Sequence, residues 1–159
     1  GGSSEQIANL KCIIGWTYLI DLNNSHLAKE AFIEAIESDE KCGRAYTGLG
    51  IYEANNKNYE EAIYYFNKAI EIDENDGENY FALAICYKEL NKFEFVEEYL
   101  VKANAIEPED NRIIEEYAYE LLRQGRNDEA IEYLKEIADY SKNKEEIKSL
   151  VWELEQYKE

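Results

Sequence analysis

Residues of like character recur along this chain at a spacing of 34, and a period of that length leaves few folds open. Tyr46, Leu49, Gly50, Tyr59, Ala62, Phe66 and Ala69 align with Tyr80, Leu83, Ala84, Phe93, Val96, Leu100 and Ala103. Ile114, Tyr117, Ala118, Ala130, Leu134 and Ile137 carry the pattern through a third block. Upstream, Ile14, Gly15, Tyr18, Ala28, Phe32 and Ala35 fit an earlier block once one extra residue is allowed in the Asn23-Asn24-Ser25 turn. Each block reads as a helix, a short polar turn and a second helix. A helix pair of this size cannot bury its apolar faces alone, so such units stack into a solenoid. The expected product is a binding surface rather than an active site.

The coarse reading places helices near 8–22, 25–39, 43–56, 59–73, 77–90, 93–107, 111–124, 127–140 and 143–158. One proline and few glycines suit long helices. Asp76 and Asp110 stand at the same repeat position and should cap first helices. Asn58 followed by Glu60 and Glu61 reads as a capping-box variant opening a second helix. Gly125 falls where a helix end needs left-handed backbone, and Pro108 follows a helix that must stop. Asn23-Asn24-Ser25 is also a formal glycosylation sequon, a match common by chance.

The two ends differ. In the last segment Ile147, Leu150, Val151, Leu154 and Tyr157 form one apolar stripe on an otherwise polar helix, as a terminal cap should. The first segment carries Leu10, Cys12, Ile13, Ile14, Trp16, Tyr18, Leu19, Ile20 and Leu22 all round. A helix of that kind is buried on more than one side. Preceding repeats, another chain or a ligand would have to cover it.

The formal charge of −18 is spread along the whole chain. That disfavours nucleic acid and anionic membranes, which need clustered Lys and Arg, and it favours a basic partner. No apolar run reaches membrane-spanning length, so no membrane insertion is expected. The three cysteines lack a C-x-x-C pair and read as reduced core residues of a cytoplasmic protein. Gly-Gly-Ser-Ser without an initiator Met reads as an unstructured tag scar over residues 1–7. His26 is the one histidine, with no second ligand in pattern, so neither a metal nor acid–base role is expected. No phosphate loop or nucleophile motif is present, and no cofactor and no enzyme activity are inferred.

On these residues the chain resembles the tetratricopeptide repeat family, whose pattern reads Trp-x-x-Leu-Gly-x-x-Tyr, then Ala, an aromatic, Ala and Pro. Tyr46, Leu49, Gly50, Ala62, Phe66 and Ala69 match it in one block, with departures at Glu53 and Glu74. Tyr80, Leu83, Tyr87, Ala103 and Pro108 match it in the next. The resemblance implies an all-α, right-handed solenoid: repeats over 8–42, 43–76, 77–110 and 111–142, then a capping helix over 143–159.

The family's concave groove is lined by repeat positions 2, 5, 9 and 12 of each first helix. Position 9 gives Trp16, Ile51, Ile85, Tyr119 and, if the last helix continues the array, Trp152. Position 5 includes Cys12, Thr47, Phe81 and Glu115. Position 12 includes Leu19, Lys88 and Leu122. Arg44 and Arg112 stand at position 2. This spine is apolar and partly aromatic with polar edges, and the bland alternative is that position 9 packs within the array. The family's carboxylate clamp needs Lys and Asn where Cys12 and Trp16 stand, so capture of a chaperone C-terminus is not expected. The resemblance implies an adaptor that binds an apolar or amphipathic peptide or helix, with Arg44, Lys88, Arg112 and Glu115 setting register. Two alternatives stay open: a scaffold that self-associates through its first helix, and a regulatory fragment of a larger protein.

Overall fold

Helices make up 79% of the chain in this computed structural model, which describes residues 2–157; among these there is no strand. In chain order they are α1 (Gly2–Ile20), α2 (Ser25–Ser38), α3 (Gly43–Asn55), α4 (Tyr59–Ile72), α5 (Gly77–Glu89), α6 (Val96–Ile106), α7 (Asn111–Arg123), α8 (Asn127–Ile137) and α9 (Lys144–Gln156). Gly1 and residues 158–159, the ends of the expected scar and cap, lie outside the described residues.

Turn chemistry explains most boundaries. Asp76 and Asp110 cap α5 and α7, accepting from the backbone N–H of Glu78 at 3.1 Å and of Arg112 at 2.9 Å. Gly125 takes φ of +77° after α7, the left-handed conformation that glycine adopts without penalty. Three expectations change. Residues 2–7 are helical rather than unstructured, because nothing in that stretch breaks a helix and Glu5 favours its first turn. Asn58 does not cap α4 with its side chain; its amide donates instead to the buried Glu53 at 2.8 Å. The second helix of the third pair opens with a 3-10 turn, Phe93–Phe95, because Lys92 offers no capping oxygen and the first turn tightens.

Each first helix packs on its own second helix, α3, α5 and α7 also pack on the second helix of the preceding pair, and α9 closes the array on α8. First helices also touch in series, α1 with α3 and α3 with α5. The layer whose members approach one another is the inner side of the curve. The core is a row of small-to-large contacts between the two layers. Phe32 and Phe66 are fully buried against Gly15 and Gly50, while Leu100 and Leu134 pack with Ala84 and Ala118. On α9, Ile147 and Val151 are buried, but Tyr157, counted on the same stripe, stands exposed beyond the last turn that α8 covers.

Candidate functional site

A cleft of about 350 Å³ opens on the inner layer between α3 and α5. Ile51 and Ala54 form one wall, Phe81, Ala82, Ile85 and Cys86 the other, and Phe66 is at the base. Glu78, Glu89 and Tyr59 stand around it. It opens here because the repeat positions of α5 facing α3 hold the small residues Ala82 and Cys86. At the next junction α7 holds Glu116 and Glu120 instead. Glu116 takes Lys88 at 2.7 Å, and Glu120, almost fully buried, binds Arg123 through two hydrogen bonds at 2.6 and 2.8 Å. Ion pairs fill the space that the front junction leaves apolar.

The expected groove residues separate into three groups. Ile51, Phe81 and Ile85 line the cleft together, half-buried. Arg112 and Glu115 border a second cavity of about 390 Å³ between the start of α7 and the α8–α9 turn. Arg112 is held there by Asp110 at 2.7 Å and Glu78 at 2.9 Å, and its guanidinium lies 5.3 Å from the Phe81 ring centre. Asp110 beside Arg112 raises the guanidinium pKa, and Arg112 in turn holds the Asp110 carboxyl below the usual range. Glu115 accepts from Ser141 at 2.9 Å and Asn143 at 2.8 Å, bracing that turn. With Lys88 on Glu116, three of the four residues assigned to register have partners inside the chain; Arg44 is exposed.

The third group belongs to the core or stands apart. Cys12 and Thr47 are buried, a correction to their placement in the groove. The Thr47 hydroxyl donates to Asn79 Oδ1 at 2.8 Å and ties α3 to α5, because position 5 faces the neighbouring first helix at this junction. Trp16 is half-buried, its ring edge-on to Phe32 at 5.4 Å, and Leu19 packs into the same N-terminal core. Leu122 packs into the C-terminal core. Tyr119 and Trp152 are exposed and line neither cavity. Burial, followed by the charge of Glu115, raises the Tyr119 hydroxyl pKa. Register reasoning passed over Ala82, Cys86 and Glu89. Small residues at the two inter-helix positions of α5 were the available signal for a cleft there.

Among the described residues no cluster of His, Cys, Asp and Glu could hold a metal ion, and no helix is long and apolar enough to cross a membrane.

The geometry defines a helical-repeat solenoid with an apolar cleft on its inner layer. Models of the tetratricopeptide repeat match residues 17–77 and 54–115, together more than half of the sequence. The chain belongs to the tetratricopeptide repeat family. Among solved structures it is similar to MamA, at 23% identity and a TM-score of 0.73 over 89% of this chain and 80% of that one. It is also similar to PilF of Pseudomonas aeruginosa, at 19% identity and 0.80 over 96% and 69%. A third is YrrB, described as a repeat protein with an unusual peptide-binding site, at 20% identity and 0.73 over 98% and 78%. These likenesses show the fold, a right-handed solenoid of four helix pairs and a capping helix. No curated protein matches the chain in sequence.

Proposed function

We propose that this chain is a protein-interaction module, an adaptor that takes an apolar or amphipathic segment of a partner across its first helices. The cleft between α3 and α5 carries the reading. Its volume is within the range of small-ligand pockets, and its walls are aliphatic and aromatic with carboxylates beside them. One or two apolar side chains would anchor there, and Lys or Arg next to them would meet Glu89 and the field of a chain with formal charge −18. The fold shared with YrrB, a peptide-binding repeat protein, supports the same assignment. Tyr119 on α7 and Trp152 on α9 are further exposed aromatic rings that a longer partner segment would reach for.

The test is selection from a randomised peptide library displayed on phage, scored against the parent and against Ile51→Ala and Ile85→Ala. Selected peptides should carry an apolar anchor beside basic residues, and each variant should lose about 1 kcal/mol of binding or more. Melting temperatures should stay close to the parent's. Binders indifferent to both substitutions would end this reading.

A second reading, self-association through α1, rests on a separate observation. Leu10, Ile13 and Ile14 are 59%, 55% and 40% exposed, although the equivalent Ala45, Gly48 and Leu49 of α3 are buried. Helix α3 has a preceding second helix packed on it; among the described residues α1 has none. The outer face of α9 is mostly polar and a poor cover for α1, so two α1 faces pairing about a two-fold axis is the favoured form. Sedimentation should detect a concentration-dependent dimer that Ile13→Glu abolishes. A strict monomer at high micromolar concentration would exclude it.

A further inference from the structure

On the outer layer, formed by the second helices, a cavity of about 250 Å³ opens between α2 and α4. Its walls differ from those of the inner cleft, because three tyrosines, Tyr46, Tyr64 and Tyr65, line it. Leu49, almost fully buried, is at the base, and Ile33 and Ile36 of α2 form an aliphatic side. Glu37 stands exposed beside them. Among the described residues Glu37 has no ion pair and no hydrogen bond from another side chain.

The next repeat shows what such a space takes. One period on, Tyr46, Tyr65 and Lys68 become Tyr80, Tyr99 and Lys102. The rings of Tyr80 and Tyr99 stack at 6.4 Å, and the Lys102 ammonium lies over both, 6.0 and 5.4 Å from their centres. Those distances are in the range of cation–π attraction. Glu98, one turn earlier on α6, holds the ammonium there at 2.9 Å. In the earlier repeat both anchoring choices are reversed. Tyr64 stands at the position of Glu98, and Glu71 stands where the later repeat has Ala105. Lys68 therefore turns the other way. It pairs with Glu71 at 3.0 Å and lies 5.9 Å from the Tyr64 ring centre, over neither Tyr46 nor Tyr65. The chain's own ammonium is drawn off, and the tyrosine pair lines a cavity instead.

We propose that this outer cavity is a lysine-binding site, a second docking point that takes an alkylammonium side chain of a basic partner. The ammonium sits at the rings of Tyr46 and Tyr65 with Glu37 as its counter-charge, and the methylene stem packs on Ile33 and Ile36. A chain with formal charge −18 draws such a partner in. The site is in the layer of second helices, apart from the cleft between α3 and α5, and stands whether or not that cleft takes a peptide.

The test is a titration of N-acetyl-lysine methylamide into the isotope-labelled chain, followed by NMR. Saturable shifts are expected at the ring signals of Tyr46 and Tyr65 and at Glu37, and none with the uncharged norleucine analogue. Glu37→Gln and Tyr65→Leu should each weaken binding by about twofold or more. A further variant tests the internal precedent. Tyr64→Glu with Glu71→Ala copies the next repeat and should bring Lys68 over the tyrosine pair, closing the site to the probe. Adding Lys68→Met should reopen it. Equal binding of the norleucine analogue would make the cavity a merely apolar one and overturn the proposal. Shifts spread over the acidic surface without saturation would also overturn it, as would a Glu37→Gln variant that binds like the parent. Glu37 is exposed, so that variant decides even if Tyr65→Leu fails to fold.

Discussion

The front two repeats and the rear two meet one packing requirement with opposite residue choices. In front, the first helix offers glycine and the second phenylalanine. A methyl group on Gly15 or Gly50 would come within 2.6 Å of the ring of Phe32 or Phe66. At the rear the first helix offers Ala84 and Ala118, and the second answers with Leu100 and Leu134. The two layers share one volume, and an interior packed at crystalline density has no room for the larger choice on both sides. The junctions differ in the same sense. Thr47 and Asn79 join α3 to α5 through a buried hydrogen bond, whereas the equivalent residues one repeat on are Phe81 and Ile113.

Emptying the shared volume should have the largest effect. Phe66→Ala should cost about 3–5 kcal/mol and Leu100→Ala about 2–5 kcal/mol in urea unfolding. A loss under about 1 kcal/mol for Phe66→Ala would place the ring outside the core. Overfilling comes next. Gly50→Ala should cost about 1–3 kcal/mol despite the better helix propensity of alanine. Adding Phe66→Leu should recover more than half, since the pair then copies the rear repeats. A double-mutant cycle with purely additive losses would break the shared-volume account.

A smaller loss is expected at the junction. Thr47→Val leaves the Asn79 oxygen buried without its donor and should cost about 1–3 kcal/mol. Thr47→Val with Asn79→Leu, an apolar pair like that of the next junction, should cost less than the single change. If the double variant is worse, the hydrogen bond is not replaceable by apolar contact. The smallest effect is on acid stability at the rear. Gln124 and then Arg126 hold the Glu97 carboxyl below its ordinary range. A depressed carboxyl contributes stability above its unfolded pKa of about 4.3, and that contribution is lost as pH falls through the lower folded value. Melts at decreasing pH should therefore show a shallower acid limb for Glu97→Gln than for the parent. An unchanged limb would show that the pairing adds nothing.

Helix type and order were legible because the 34-residue spacing repeats, and because Asp76, Asp110 and Gly125 act through backbone within a turn of themselves. Parts of the candidate site were legible for the same reason: Ile51, Phe81 and Ile85 share a helical phase and line one cleft. Phase failed where the neighbour mattered. Thr47 is in phase with Phe81, yet it points at Asn79 and is core. Glu115 was given to ligand register, but Ser141 and Asn143 of a distant turn occupy it. Asn58 had a local role as a cap within reach and took Glu53 instead.

From the residues alone come the all-α solenoid, its pairing of helices, the polar rear end and the apolar front end. Each of these depends on periodicity and on chemistry within a few residues. Three-dimensional packing settled which first helices leave a cleft and which charges are already paired. Those are contacts between residues on different helices, far beyond the reach of a single turn. Their distances depend on how the layers stack, and the direction in which a side chain leaves its own helix does not fix what it will meet.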